Sequence, residues 1–184
     1  MFVSEPSEIS ESSETKEKHA HINFSNYRKV NILLLGSGGR ECAIAWKLSQ
    51  SPRLDKLFIA PGNAGMAQYG TLLPVKPMDF AAVAQASLDH AIDMAVIGPE
   101  VPLAMGIVDA LEAEGIAAFG PNKKCAQLEA SKSFTKAFLA RHDIPTAKYS
   151  EYTDKAALEK AIGIYGYPMV IKADGLAAGK GVVL

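Results

Sequence analysis

Three stretches of the chain combine residue types and spacings that can handle an anion or a sugar. The first is Gly36-Ser37-Gly38-Gly39-Arg40-Glu41. Glycine lets backbone N–H groups approach a phosphate closely, and the arginine adds positive charge. The second is Gly98-Pro99-Glu100. Its carboxylate can accept hydrogen bonds from sugar hydroxyls, or it can simply be the acidic residue that a helix start favours. The third is Pro168–Leu184, where an apolar run delivers Lys172 and a loop follows with Gly175, Gly179, Lys180 and Gly181. Such a loop can lay N–H groups over a polyphosphate, or it can be an ordinary hairpin turn. It is not a Walker A loop. That motif needs four residues between its first glycine and Gly-Lys, then serine or threonine. Here three residues separate Gly175 from Gly179, and Gly181 follows Lys180.

These residues need elements to hold them. Val30–Leu35 is an apolar strand-length run that feeds directly into the first glycine stretch. Cys42, Ile44, Ala45 and Leu48 then give a helix with one apolar face. Strand, glycine turn and helix open a Rossmann-like unit with an anion site at the helix N-terminus. Two tandem glycines at that junction are more than a turn requires. The dinucleotide fingerprint wants a small residue where Glu41 stands and an acidic residue ending the second strand. That strand, Lys56–Ala60, ends in Pro61 instead. Both departures argue against NAD and leave a mononucleotide or a sugar phosphate.

Further on, Pro61-Gly62-Asn63-Ala64-Gly65 lies after the second strand, at the end of a parallel sheet where ligands bind. Asp79–Ala91 reads as a helix capped by Asp79, with His90 at its end; Asp93–Ile97 reads as a strand, Ala104–Glu114 as a helix and Ile116–Phe119 as a strand. This alternation predicts a parallel α/β sheet over residues 30–120. Lys123–Glu129 and Ser131–His142 are expected helices, the second capped by Ser131 and packed through Phe134, Ala137, Phe138 and Ala140. Thr146–Tyr149 is an expected short strand, and Asp154–Tyr165 an expected helix with Thr153 as its cap. The change to shorter elements near Ser131 marks a domain boundary. Residues 1–29 carry Glu5, Glu8, Glu11, Glu14 and Glu17 at a spacing that fits neither helix nor strand, and read as a disordered tail.

The 184 residues are 48% hydrophobic and 21% charged, with a net charge of −1, so composition supports neither nucleic acid nor membrane as a partner. No apolar run is long enough to span a bilayer, and the tail lacks the features of a secretory or transit signal, so a cytoplasmic protein is expected. Cys42 and Cys125 have no metal or redox spacing and read as reduced, mostly buried thiols. The four histidines form no ligand cluster.

Six strings occur in order: residues 36–48 (GSGGRECAIAWKL), 60–65 (APGNAG), 98–103 (GPEVPL), 119–121 (FGP), 126–147 (AQLEASKSFTKAFLARHDIPTA) and 170–183 (VIKADGLAAGKGVV). Together they resemble the phosphoribosylamine–glycine ligase family of the ATP-grasp superfamily, over residues 30–184. The resemblance implies a Rossmann-like N-terminal domain with connector at 30–130 and the truncated start of an ATP-grasp domain at 131–184. It implies a phosphoribosylamine site bordered by Gly36, Gly38, Gly39, Arg40, Glu41, Asn63, Gly65 and Glu100. For ATP it implies two lysines, Lys132 and Lys172, and a loop closing over the triphosphate, Asp174, Gly175, Leu176, Ala177, Ala178, Gly179, Lys180 and Gly181. No catalytic residue is assigned. The family usually shows histidine where this chain has Cys42, so a polar contact from that position is in doubt.

The implied reaction joins glycine to 5-phosphoribosylamine. ATP converts the glycine carboxylate, a poor electrophile, to glycyl phosphate, and the amine displaces phosphate to give glycinamide ribonucleotide. Magnesium or manganese is implied with ATP, its ligands expected in the part of the family chain that continues beyond this sequence. The 184-residue chain is therefore expected to be an incomplete fragment that does not turn over by itself. Competing readings are another ATP-grasp carboxylate–amine ligase or carboxylase, a nicotinamide-dependent dehydrogenase, and a non-catalytic nucleotide-binding fragment.

Overall fold

The structure, a computed structural model, describes residues 28–162, 169–176 and 181–183. The acidic stretch up to residue 27 lies outside them, as do Ala177, Ala178, Gly179 and Lys180 of the glycine loop.

The strands are β1 (Val30–Gly36), β2 (Leu54–Pro61), β3 (Thr71–Leu72), β4 (Met94–Ile97) and β5 (Ala118–Phe119). They form one sheet in the order β3-β2-β1-β4-β5, and every pair is parallel. β1 is central and must bury both of its faces. That is why it is a continuous apolar run rather than an alternating one. Leu33 and Leu35 enter one core with Val83, Ile107 and Leu111. Ile32 and Leu34 enter the other with Ala45, Ile59 and Met66. Helix α2 (Phe80–Asp89) and helix α4 (Ile107–Ala113) supply residues to the first core. Helix α1 (Gly39–Ser49) and the 3-10 turn Ala64–Met66 supply them to the second. Layers on both faces of a parallel sheet make this an α/β fold. Strand order reverses between β1 and β4, which fixes the crevice where such sheets take ligands.

Asp79 caps α2 through the Ala82 N–H at 3.1 Å. His90 ends that helix and stacks on Phe58 with ring centroids 4.4 Å apart. The expected helix Ala104–Glu114 is instead two: α3 (Glu100–Met105) and α4, broken at Gly106. Gly106 has φ 96, the left-handed conformation that ends α3 and redirects the chain. β3 and the 3-10 turn carry too few residues to show a period, and the sequence reading did not place them.

After the sheet come α5 (Lys123–Ala130), α6 (Lys132–Arg141), α7 (Lys155–Ala161) and the antiparallel pair β6 (Ile171–Lys172) and β7 (Val182–Val183). Ser131 caps α6, accepting from the Phe134 N–H at 3.1 Å. Three expectations fail in this part. Thr146–Tyr149 is not a strand: the Lys136 ammonium donates to Thr146 Oγ1 at 2.7 Å and the Ala147 carbonyl at 2.9 Å, tethering an irregular segment. Asp154, not Thr153, caps α7, and Ile162 leaves helical geometry, so the helix stops short of the expected Tyr165. On α6 the half-buried side chains include Phe134, Phe138 and Leu139, while Ala137 and Ala140 are exposed. Among the described residues, no helix is long and apolar enough to cross a membrane.

Candidate functional site

The carboxyl ends of β1, β2 and β4 bring the first two motifs together. Gly36 ends β1 with φ 125, a conformation glycine alone adopts without strain. The chain then turns into α1 at Gly38. Glu41, in the first turn of α1, folds back: its Oε2 accepts from the Gly38 N–H at 2.8 Å, and its Oε1 accepts from Arg40 Nε at 2.8 Å. Glu41 is 4% exposed, so this carboxylate belongs to the framework of the loop. The family resemblance placed it among the residues bordering the phosphoribosylamine site. Its packing against Gly36 and Gly98 shows that it is enclosed.

Arg40 reaches across to the second motif, where Nη1 donates to Glu100 Oε1 at 2.8 Å. Glu100 heads α3 just beyond the end of β4, the helix start that favours an acidic residue. Its hydrogen bond from Arg40, then a backbone bond, hold the Glu100 carboxyl below the usual glutamate range. The two carboxylates, Glu100 first and Glu41 second, keep the guanidinium charged beyond its already high ordinary value. Asn63 joins the adjoining loop: its Nδ2 donates to the Ser37 carbonyl at 2.8 Å, and its Oδ1 accepts from the Gly65 N–H at 2.8 Å. Asn63 and Gly65 are exposed at this rim.

The third motif meets α6. Asp174 Oδ1 accepts from the Lys132 N–H at 2.6 Å and the Gly175 N–H at 2.9 Å, and Oδ2 accepts from the Ser133 hydroxyl at 2.6 Å. Ser131 Oγ and the Ser133 N–H stand at the margin, 3.3 to 3.4 Å away. These donors, the Ser133 hydroxyl foremost, hold the Asp174 carboxyl well below the usual carboxylate range. Lys132 Nζ donates to the Gly175 carbonyl at 2.7 Å. Lys172 is exposed on β6, which pairs with β7, and the Ala173 N–H donates to the Gly181 carbonyl at 2.8 Å, so the loop springs from a hairpin.

A cavity of about 260 Å³ lies between the two groups, lined by Glu100, Leu103, Pro121, Cys125, Leu128 and Leu176 among others. Glu100 and Leu176 thus share one cavity. Cys125 is exposed at its wall, and Cys42 is half-buried against the second core, so the two thiols are less buried than expected. The sequence analysis assigned no role to Ser133, and named Gly98 only as part of the second stretch. The signals were present: a second serine in the first turn of α6, and a glycine ending β4 as Gly36 ends β1. Among the described residues, no group of three or more His, Cys, Asp or Glu side chains could hold a metal ion.

A doubly wound parallel domain with its polar site at the strand-order reversal, followed by a helix and a lysine-bearing glycine hairpin, has the architecture of the N-terminal part of an ATP-grasp ligase. The family profile described as "Phosphoribosylglycinamide synthetase, N domain" matches residues 30–129, and "Phosphoribosylglycinamide synthetase, ATP-grasp (A) domain" matches residues 130–184. The chain belongs to the phosphoribosylglycinamide synthetase family. It is 51% identical over 157 residues to the phosphoribosylamine–glycine ligase of Yersinia pestis, covering 84% of this chain and 37% of that one. It is 53% identical over 156 residues to the trifunctional purine biosynthetic protein adenosine-3 of Gallus gallus, covering 83% of this chain and 16% of that one. The crystal structure of the phosphoribosylamine–glycine ligase of Thermotoga maritima superposes with a TM-score of 0.67 at 34% identity, over 84% of this chain and 35% of that one. The chain therefore spans little more than a third of the single-function relatives and a smaller part of the trifunctional one.

Proposed function

We propose that this protein takes part in the ATP-dependent ligation of glycine to 5-phosphoribosylamine, with residues 30–130 on the phosphoribosylamine side and 131–184 contributing to the ATP side. The observation that carries this reading is the shared cavity. Glu100 of the sheet domain, the partner of Arg40, and Leu176 of the glycine hairpin open on the same space. Two substrates held by the two parts would meet there.

The phosphate of phosphoribosylamine takes the start of α1. The Gly38 N–H is committed to Glu41, so the phosphate uses the N–H groups that follow it and the positive end of the helix. A Cβ on Gly39 would meet no protein atom within 4 Å, so there is room at that point for an anion. Arg40 supplies charge, and Glu100 accepts from ribose hydroxyls with the oxygen that Arg40 leaves free. Asn63 and Gly65 close the rim. Lys132 and Lys172 are the cations for the triphosphate. Transfer of the γ-phosphoryl group to a glycine carboxylate oxygen releases ADP. Attack of the ribosyl amine on that carbonyl carbon then expels phosphate and sheds one amine proton. Positioning and charge neutralisation, rather than covalent help, are what such a transfer asks of the protein.

The test is substrate dependence. In a chain that carries residues 30–184 together with the remaining length of the single-function relatives, ADP release should require glycine and phosphoribosylamine together, with glycinamide ribonucleotide formed in equal amount. ADP release that depends on a different carboxylate or amine would overturn the assignment.

A further inference from the structure

We propose that Asp174 is a positioning residue for ATP, not an ATP contact: it clamps the root of the glycine loop onto the first turn of α6 and so fixes Lys132 relative to Lys172. The proposal rests on the ATP reading above and assigns Asp174 a different role from the one its place in the glycine loop implies.

The geometry has three parts. Both carboxylate oxygens are occupied by donors from across the contact or from the loop itself: the Lys132 and Gly175 N–H groups at 2.6 and 2.9 Å, and the Ser133 hydroxyl at 2.6 Å. An anion so engaged has no donor to offer a triphosphate and would repel it at close range. The contact also joins segments 42 residues apart in sequence. Asp174 stands two residues after Lys172 on the hairpin, while its partners flank Lys132 on the helix. Last, the Lys132 ammonium itself donates to the Gly175 carbonyl at 2.7 Å. The clamp thereby sets both the place of the helix and the direction of its lysine. Charge-assisted bonds of this length are the strong kind, suited to holding a geometry.

Two lysines that act on one triphosphate must be held at a fixed separation, and small misplacements are costly. The test measures ATP affinity by calorimetry in the purified protein, and KM and kcat for the ligation in a chain that also carries the remaining length of the single-function relatives. Asp174→Ala should weaken ATP binding and raise the KM for ATP by about tenfold, the scale of one lost charge-assisted hydrogen bond. The KM values for glycine and phosphoribosylamine should stay within about twofold, since nothing on their side is disturbed. Asp174→Asn, which keeps one acceptor oxygen, should recover part of the loss. The decisive comparison is with Lys132→Ala. If Asp174 acts by placing Lys132, the double variant should be little worse than Lys132→Ala alone; direct contact of Asp174 with ATP would make the two effects multiply. A multiplicative result, or unchanged ATP affinity in Asp174→Ala, overturns the clamp while leaving the ligase reading intact. Failure of the unsubstituted protein to bind ATP ends both. ATP binding without glycine-dependent turnover in the longer chain overturns only the ligase reading, and the calorimetric comparison still decides the clamp.

Discussion

A Cβ atom built on Gly98 falls 2.5 Å from Cγ of Glu41. The same glutamate would collide with a Cβ on Gly36, so it is wedged between the ends of β1 and β4. It cannot swing aside, because it is 4% exposed and its Oε2 holds the Gly38 N–H. Gly98→Ala should therefore destabilise the fold by about 1–3 kcal/mol, the usual cost of overpacking a tight site. Urea denaturation measures this, and a variant as stable as the parent would mean that Glu41 has room to move.

Glu41→Ala tests the same wedge from the other side. It leaves the Gly38 N–H and Arg40 Nε without their acceptor; both residues are exposed to water, so each lost bond costs about 0.5–1.5 kcal/mol. It also vacates the space a Gly98 methyl would need. Combining Glu41→Ala with Gly98→Ala should thus cost clearly less than the sum of the two single changes. Strict additivity in urea denaturation would show that the clash lies elsewhere.

The sheet was legible because its strands are buried on both faces, and runs such as residues 32–35 and 94–97 therefore stand out as unbroken apolar stretches. The glycine turns at their ends pointed to the polar rim for the same local reason. What sequence did not show was decided by contacts between distant residues. Thr146–Tyr149 has the composition of a strand, but Lys136 claims its carbonyl and hydroxyl groups. Glu41 stands in sequence only as a departure from the dinucleotide fingerprint, and nothing there shows that the Gly36 and Gly98 backbones enclose it. Asp174 reads as part of a phosphate loop, and its partners sit some forty residues earlier. No period or spacing carries such information.

Gly106 is where local chemistry and tertiary need agree. Its φ of 96 breaks the predicted single helix into α3 and α4, and a Cβ there would lie 3.2 Å from Cδ of Lys123. The lysine tail can yield, so the dominant cost is the left-handed backbone, about 1–2 kcal/mol for a non-glycine residue. Gly106→Ala should lower the melting temperature accordingly. Gly106→Asn should lower it less, since asparagine tolerates that conformation better. Equal melting temperatures for the parent and the alanine variant would contradict the backbone account.

The Arg40–Glu100 pair makes a prediction about acid. Nη1 to Oε1 is 2.8 Å, and the pairing lowers the Glu100 pKa in the folded protein. A carboxyl with a depressed folded pKa stabilises the fold fully above the ordinary glutamate value. As the pH falls below that value, the unfolded chain takes up the proton first and the advantage shrinks. It is gone once the pH is below the folded pKa as well. Arg40 stays charged throughout, so Glu100 alone sets the window. Both side chains are well exposed, 54% and 41%, and solvent screening keeps the contribution under about 1 kcal/mol. The stability difference between the parent and Glu100→Gln, followed by urea denaturation from about pH 7 to pH 3, should be largest near neutrality and decline on acidification. Added salt should reduce it at neutral pH, because exposed pairs are screened. A difference that grows as the pH falls would mean that Glu100 is held as the protonated acid, and Arg40 would then not be its partner in solution.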